Sequence, residues 1–224
     1  MNDYTSTFND RTHAGKLLVP MINDLLERRP EFNYGVIVGV PRGGVVVAAQ
    51  VAKATGLPLD IMVTGKVMAP GSSNIVIGAV TERDRVFINQ PVVRALGLED
   101  ADIEQQVEKV RLQIKSVSGE YRQVVPRSNL SERTVFIIDD NVVTGATMFA
   151  TLRGLWAERP ASIVVALPVA PEATLNALTD FADEVIALNA PSLLTDTIES
   201  YYQNIEDVSQ QKVMQILRTL RQVQ

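Results

Sequence analysis

Three runs along the chain, YGVIVGV from Tyr34 to Val40, TVFII from Thr134 to Ile138 and SIVVALPVA from Ser162 to Ala170, are apolar at nearly every position rather than at every second one. A strand with one face in water alternates, whereas a strand apolar on both faces must be covered on both, as in a parallel sheet between two helical layers. The intervening segments supply those layers. Leu17, Leu18, Met21, Ile22, Leu25 and Leu26 recur at helical spacing until Arg28-Arg29-Pro30, and Val45 to Thr55 continues helically until Gly56 and Pro58. Ile103, Val107, Val110, Ile114, Val117 and Tyr121 are spaced as the narrow apolar stripe of a long helix. Thr147 to Arg159, closed by Pro160, and Glu172 to Phe181 complete the set, and LDIMVTG from Leu59 and DEVIALNA from Asp183 read as further strands. The expectation is an α/β fold with a parallel sheet of about five strands flanked by helices.

Two regions depart from this alternation. Lys66 to Asn74 collects Pro, Gly and Ser and is expected to be a mobile loop, followed by IVIGAV and RVFIN, which can pair as a hairpin. After Pro191 the chain turns polar and aromatic, then helical through Val213, Ile216 and Leu217. With no linker rich enough to divide 224 residues, a single domain spanning 1–224 is expected. Its core would cover about 30–190, and a small hood would come from about 1–29 and 191–224.

A net charge of −5 disfavours nucleic acid as the main partner. The absence of Cys excludes disulfides and thiolate metal sites, and the single His13 cannot build a histidine-rich zinc site, while an oxygen-liganded ion such as Mg²⁺ stays open. His13 itself is expected to be exposed and without a role. The first twenty residues lack the apolar core of a signal peptide and no apolar run approaches membrane-spanning length, so the cytoplasm is the expected compartment.

Ligands of open parallel sheets bind beyond the carboxyl ends of the strands. One strand there ends in Asp139-Asp140, adjacent like charges that repel unless water, a cation or a hydroxyl-rich ligand meets them. Thr144-Gly145-Ala146-Thr147 follows, pairing hydroxyls with a glycine that lets backbone N–H groups turn inward before a helix N-terminus. Taken alone, the acids could mark a strand end and the Thr-Gly-Ala-Thr run a helix cap. Together they suit a sugar phosphate, with the acids accepting from vicinal hydroxyls. A second strand leads into Pro41-Arg42-Gly43-Gly44, where the glycines permit close backbone approach and the arginine offers a fork for phosphate oxygens.

The stretches FIIDDNVVTGATM and VGVPRGGVVVAAQVA, with weaker matches at FNDRTHAGKLL, IGAV and LPVAP, resemble the type I phosphoribosyltransferases, and more closely a branch of that family with unsettled substrates. The resemblance implies that fold, with a flexible hairpin over the site. It also implies that Asp139 and Asp140 hold the ribose hydroxyls, that Val143, Thr144, Gly145, Ala146 and Thr147 bind the 5-phosphate, and that Pro41, Arg42, Gly43 and Gly44 bind pyrophosphate. Mg²⁺ would bridge pyrophosphate and ribose oxygens near Asp139 and Asp140, and Lys66 is the candidate phosphate-facing cation of the hairpin. Asp139, Asp140, Lys66 and Arg42 are thus the expected catalytic residues. The implied reaction is transfer of phosphoribose from phosphoribosyl diphosphate to a small nitrogenous acceptor, or the reverse. The alternative is a non-catalytic protein that senses phosphoribosyl diphosphate or a nucleotide; a phosphohydrolase is disfavoured because nothing resembles its nucleophile. The expected partners are small molecules, with no membrane and a possible homodimer suggested by the Ile103 to Tyr121 stripe. This chain departs from the branch pattern at Gly65, Asn74 and Asn141. Trp156 is expected to pack in the core or at a subunit interface, and Tyr201 and Tyr202 either in a packed flap or on a base.

Overall fold

The computed structural model describes residues 8–142, 145–192 and 198–221. Five strands form a parallel sheet: β1 (Val36–Gly39), β2 (Leu59–Ile61), β6 (Thr134–Ile138), β7 (Ser162–Val169) and β8 (Glu184–Asn189), in the order β2-β1-β6-β7-β8. Neighbours pair in parallel, Ile37 opposite Leu59 and Phe136, and Phe136 opposite Val164. The period of two along β6 splits its side chains between two cores. Phe136 and Ile138 join the face covered by α1 (Arg11–Arg28), α2 (Gly43–Thr55) and α7 (Gln210–Arg221). Val135 and Ile137 join the face covered by α5 (Ala146–Trp156) and α6 (Glu172–Leu178). Both faces are dry, as the unbroken apolar runs require.

From β1 the chain winds one way to β2 and later returns on the other side of β1 as β6. The strand order therefore reverses between β1 and β6, and a crevice opens beyond their carboxyl ends. Pro41 and Asp139 follow those two ends.

LDIMVTG, expected as one strand, is two. β2 stops at Ile61, Met62 N–H still reaches the Gly39 carbonyl at 3.1 Å, and the chain then leaves the sheet as β3 (Thr64–Met68). β3 pairs antiparallel with β4 (Val76–Thr81), which pairs with β5 (Val86–Ile88), so the expected hairpin gains a third strand. Lys66 lies inside β3 rather than in a loop, and the connecting loop is shorter, 69–75. A continuous apolar run does not record where its pairing partner changes.

The small sheet rests between α5 and α4 (Asp100–Arg122), whose first turn carries Asp100 and Asp102. Ile103, Val107, Val110, Ile114 and Tyr121 are buried in this chain's own core. The stripe is satisfied internally and gives no support to a dimer. A Cβ on Gly65 would sit 2.6 Å from Val110 Cγ1, which explains why a side chain is missing there.

A charged cluster pins the same region. Arg122 on α4 reaches Asp60 Oδ1 at 2.5 Å and Glu82 Oε1 at 2.6 Å, with Asp60 and Glu82 side chains almost wholly buried. Burial works against the Arg122 charge, but Glu82 and Asp60 outweigh it and raise its pKa.

Other differences are local. α3 (Gln90–Leu96), capped by Asn89, was not anticipated, α2 begins at Gly43 rather than Val45, and α5 and α6 end before Arg159 and Phe181. Trp156 is not in the core: it is 40% exposed, its indole N–H bonded to the Phe181 carbonyl at 2.7 Å. His13 is partly buried rather than exposed, and its backbone N–H is capped by Asp10.

Candidate functional site

The crevice between β1 and β6 holds a cavity of about 340 Å³ lined by Val40, Pro41, Arg42, Thr64, Lys66, Asp139, Asp140, Asn141, Val142, Gly145, Thr147 and Met148. Residues from three separate stretches of sequence thus meet at one place. Pro41 and Arg42 come from the β1–α2 loop, where the Pro41–Arg42 peptide bond is cis. Lys66 comes from β3, and the acids from the end of β6. Gly145 is in the left-handed region at φ 74° and caps α5, whose first turn contributes Thr147 and Met148. A helix start leaves its first backbone N–H groups without intrahelical partners, as anion binding needs. Ala146 is the first residue of α5; Val143 and Thr144 lie outside the described residues.

Gly43 and Gly44 stand behind the loop, against the acids. A Cβ on Gly43 would collide with Asp140 Oδ2, and one on Gly44 would lie 2.8 Å from both Asp139 Cα and Asp139 Oδ1. The two glycines let α2 begin directly on the acid pair, so the two loops form one object.

The acids are not equivalent. Asp140 is 7% exposed and pairs with Arg11, Nε to Oδ2 2.6 Å. Asp140 N–H donates to Asp139 Oδ1 at 2.9 Å. Burial raises the Asp139 pKa well above the ordinary carboxylate range, and the neighbouring Asp140 charge and a side-chain hydrogen bond with Asp140 add to it. The Asp140 backbone N–H and Arg11 oppose the shift. Among the described residues, one oxygen on each carboxylate is engaged by a protein N–H donor and the other has no such donor.

Two residues here were missed. Arg11 falls within FNDRTHAGKLL, a signal that was present but carried no assigned role. Tyr202, expected in a flap or on a base, is buried and donates its hydroxyl to the Asp140 carbonyl at 2.6 Å. Burial first, and then the Asp140 charge, push its own pKa upward. Lys66 and Arg42 are exposed at the cavity, whereas Asn74 is exposed in the 69–75 loop and does not line it. A second cavity of about 310 Å³, lined by Phe87, Phe149, Arg153 and Phe181 among others, includes Gly78 of the IGAV stretch but none of the expected site residues.

Among the described residues no group of three or more acids or histidines could hold a metal ion by itself, and no helix is long and apolar enough to cross a membrane. Two carboxylates suit Mg²⁺ only where water and a ligand's own oxygens complete its shell.

The family model of the phosphoribosyl transferase domain matches residues 15–189. Curated proteins from two strains of Mycobacterium tuberculosis, provisionally named phosphoribosyl transferases, are each 30% identical over 210 residues, 94% of this chain and 46% of theirs. The chain therefore spans about half the length of these relatives. The crystal structure of TT1426 from Thermus thermophilus is similar with a TM-score of 0.82 at 34% identity, covering 96% of this chain and 99% of that one.

Proposed function

The chain belongs to the phosphoribosyl transferase family, and from that premise we propose that it transfers a 5-phosphoribosyl group between pyrophosphate and a small nitrogenous acceptor. The observation that carries this reading is the seating of Gly43 and Gly44 on Asp139 and Asp140 beside the start of α5. The proposed diol acceptor and pyrophosphate loop then share one cavity with the start of α5.

In this reading the 5-phosphate lies at Val143 to Thr147, held by the N–H groups opening α5. The ribose hydroxyls donate to the carboxylates of Asp139 and Asp140. Pyrophosphate lies on Pro41 to Gly44, with Arg42 as its fork and Lys66 closing from the hairpin. Asp139 and Asp140 would hold Mg²⁺, mainly through water, and the ion would supply positive charge that offsets the charge of the leaving pyrophosphate. The C1–O bond breaks with its electron pair departing on pyrophosphate, the C1–N bond forms, and the acceptor's N–H proton passes to solvent. Positive charge gathers on the sugar ring, where Asp139 and Asp140 stabilise it, so positioning and electrostatics suffice without a protein nucleophile. The core at about 30–190 carries these groups and the terminal segments close over them as parts of one domain.

The test is thermal unfolding with phosphoribosyl diphosphate and Mg²⁺, alongside pyrophosphate release over a panel of nitrogenous bases. Stabilisation with release from one acceptor is the expected outcome. Stabilisation without release from any base transfers the site to a sensor of phosphoribosyl diphosphate. No stabilisation by any phosphorylated ribose defeats both readings.

A further inference from the structure

Asp140 is gripped from two directions by segments outside the ligand loops. Arg11, in the first turn of α1, sets Nε 2.6 Å from Asp140 Oδ2, with the two side chains only 15% and 10% exposed. Its Nη1 donates to the Glu206 carbonyl at 2.7 Å. From the C-terminal side, Tyr202 holds the Asp140 backbone carbonyl through its hydroxyl at 2.6 Å. The two gripping segments are joined to each other. Phe8 N–H bonds to the Tyr201 carbonyl at 2.7 Å, Gln203 N–H bonds to the Phe8 carbonyl at 2.8 Å, and the Phe8 and Tyr202 rings lie 5.1 Å apart.

An exposed ion pair would do little, because solvent and salt screen it. This pair is largely out of solvent and charge-assisted, so it fixes which carboxylate oxygen is occupied and where the other points. Gly43 makes room for it, since a Cβ there would meet both Asp140 Oδ2 and, at 2.6 Å, Arg11 Nε. A staple needed only to dock α1 could fall on any acid of the sheet edge. This one falls on the acid that lines the cavity, and the Glu206 carbonyl keeps the guanidinium in place independently of Asp140.

We propose that Arg11 is a positioning residue of the sugar site: acting through Asp140, it orients the carboxylate that selects a ribose diol. The terminal hood is then part of ligand selection, and Tyr202 supports the same carboxylate through its backbone. This inference rests on the ribose phosphate reading given above.

Calorimetric titration of the full chain with ribose 5-phosphate, 2-deoxyribose 5-phosphate and inorganic phosphate separates the possibilities. The wild-type chain is expected to favour the ribose compound. Arg11→Gln should lose at least about tenfold in ribose 5-phosphate affinity, and most of the preference over the deoxy compound, through loss of one charge-assisted contact. Its affinity for inorganic phosphate should stay within about twofold, which a merely unfolded or loosened site would not allow. Arg11→Lys, retaining charge without the planar fork, should recover part of the preference. Tyr202→Phe, retaining the packed ring, should lose a smaller part.

Wild-type selectivity in Arg11→Gln overturns the inference and leaves the proposed function standing. If Arg11→Gln does not fold, unchanged selectivity in both Arg11→Lys and Tyr202→Phe overturns it instead. Failure of the wild-type chain to bind any ribose phosphate overturns the proposed function and this inference with it.

Discussion

Gly44→Ala tests the contact on which the site depends. The added Cβ would lie 2.8 Å from Asp139 Cα and 2.9 Å from the Ile138 carbonyl oxygen. Carbon atoms attract best at ~3.5–4.0 Å, so the start of α2 and the end of β6 would have to part by roughly 0.7 Å. Neither neighbour is a side chain that can swing away. The Ile138 carbonyl already accepts from Val40 N–H at 2.9 Å, and β6 is held by strands on both sides. Overpacking of this kind costs about 1–3 kcal/mol. Alanine's advantage over glycine in a helix returns about 0.5–1 kcal/mol, so the clash wins. The middle of the two ranges leaves a net loss of about 1.3 kcal/mol, and since for a chain of this size each kcal/mol moves Tm by about 2–4 °C, a fall of about 3–5 °C is expected. Gly119→Ala is the matched control. Gly119 is exposed on α4 with nothing within 4 Å of the added carbon, so the same chemical change should stabilise by about 0.4–1 kcal/mol. Thermal unfolding read by circular dichroism gives both signs, and titration of Gly44→Ala with ribose 5-phosphate should show about a tenfold or greater loss because Asp139 is displaced. If Gly44→Ala matches Gly119→Ala in stability and keeps wild-type affinity, the loop and the acid pair are not in contact as described.

Asp139→Asn should trade ligand for stability. The folded chain holds the Asp139 proton to higher pH than the unfolded chain does, because of burial and then the Asp140 charge. More protons on the folded state mean that wild-type stability falls as pH rises from the ordinary carboxylate value of ~3.9, until Asp139 ionises in the fold. Urea unfolding should therefore find Asp139→Asn more stable than wild type at neutral pH, with the gap closing toward pH ~4, and calorimetry should find ribose 5-phosphate binding lost. A gap independent of pH would contradict the assignment. Arg122→Met removes the shortest ion pairs of the buried Asp60 and Glu82 carboxylates, leaving Arg83 at 3.9 Å and Arg127 at 3.8 Å, and a loss toward the lower end of about 3–5 kcal/mol is expected in the same unfolding assay. A loss below about 1 kcal/mol would mean that the cluster is well solvated.

How far the sequence reached depended on whether the needed signal was local. Apolar runs such as TVFII and SIVVALPVA announce strands covered on both faces, because every residue of a doubly buried strand must be apolar whatever lies next to it. Glycines and acids at strand ends likewise mark the loops, since backbone approach and charge repulsion act within a few residues. The sheet, the helices that cover it and the two loops that meet at the cavity were legible for that reason. The split of LDIMVTG into β2 and β3 was not, because Met62 and Val63 are as buried as their neighbours, and only the pairing partner changes. The Ile103 to Tyr121 stripe showed that something must cover it, but not that the cover would be β3 and β4 of the same chain. The pairings of Arg11 with Asp140, of Arg122 with Asp60 and Glu82, and of Tyr202 with the Asp140 carbonyl join residues from 40 to 129 positions apart. What the sequence determined by itself were the parts whose physics is short-ranged: strands, helices and a pair of adjacent acids at a strand end. Only the tertiary structure decided that Gly43 and Gly44 press against those acids and that Arg11 holds one of them, because proximity between distant segments is set by packing and not by any one segment's composition.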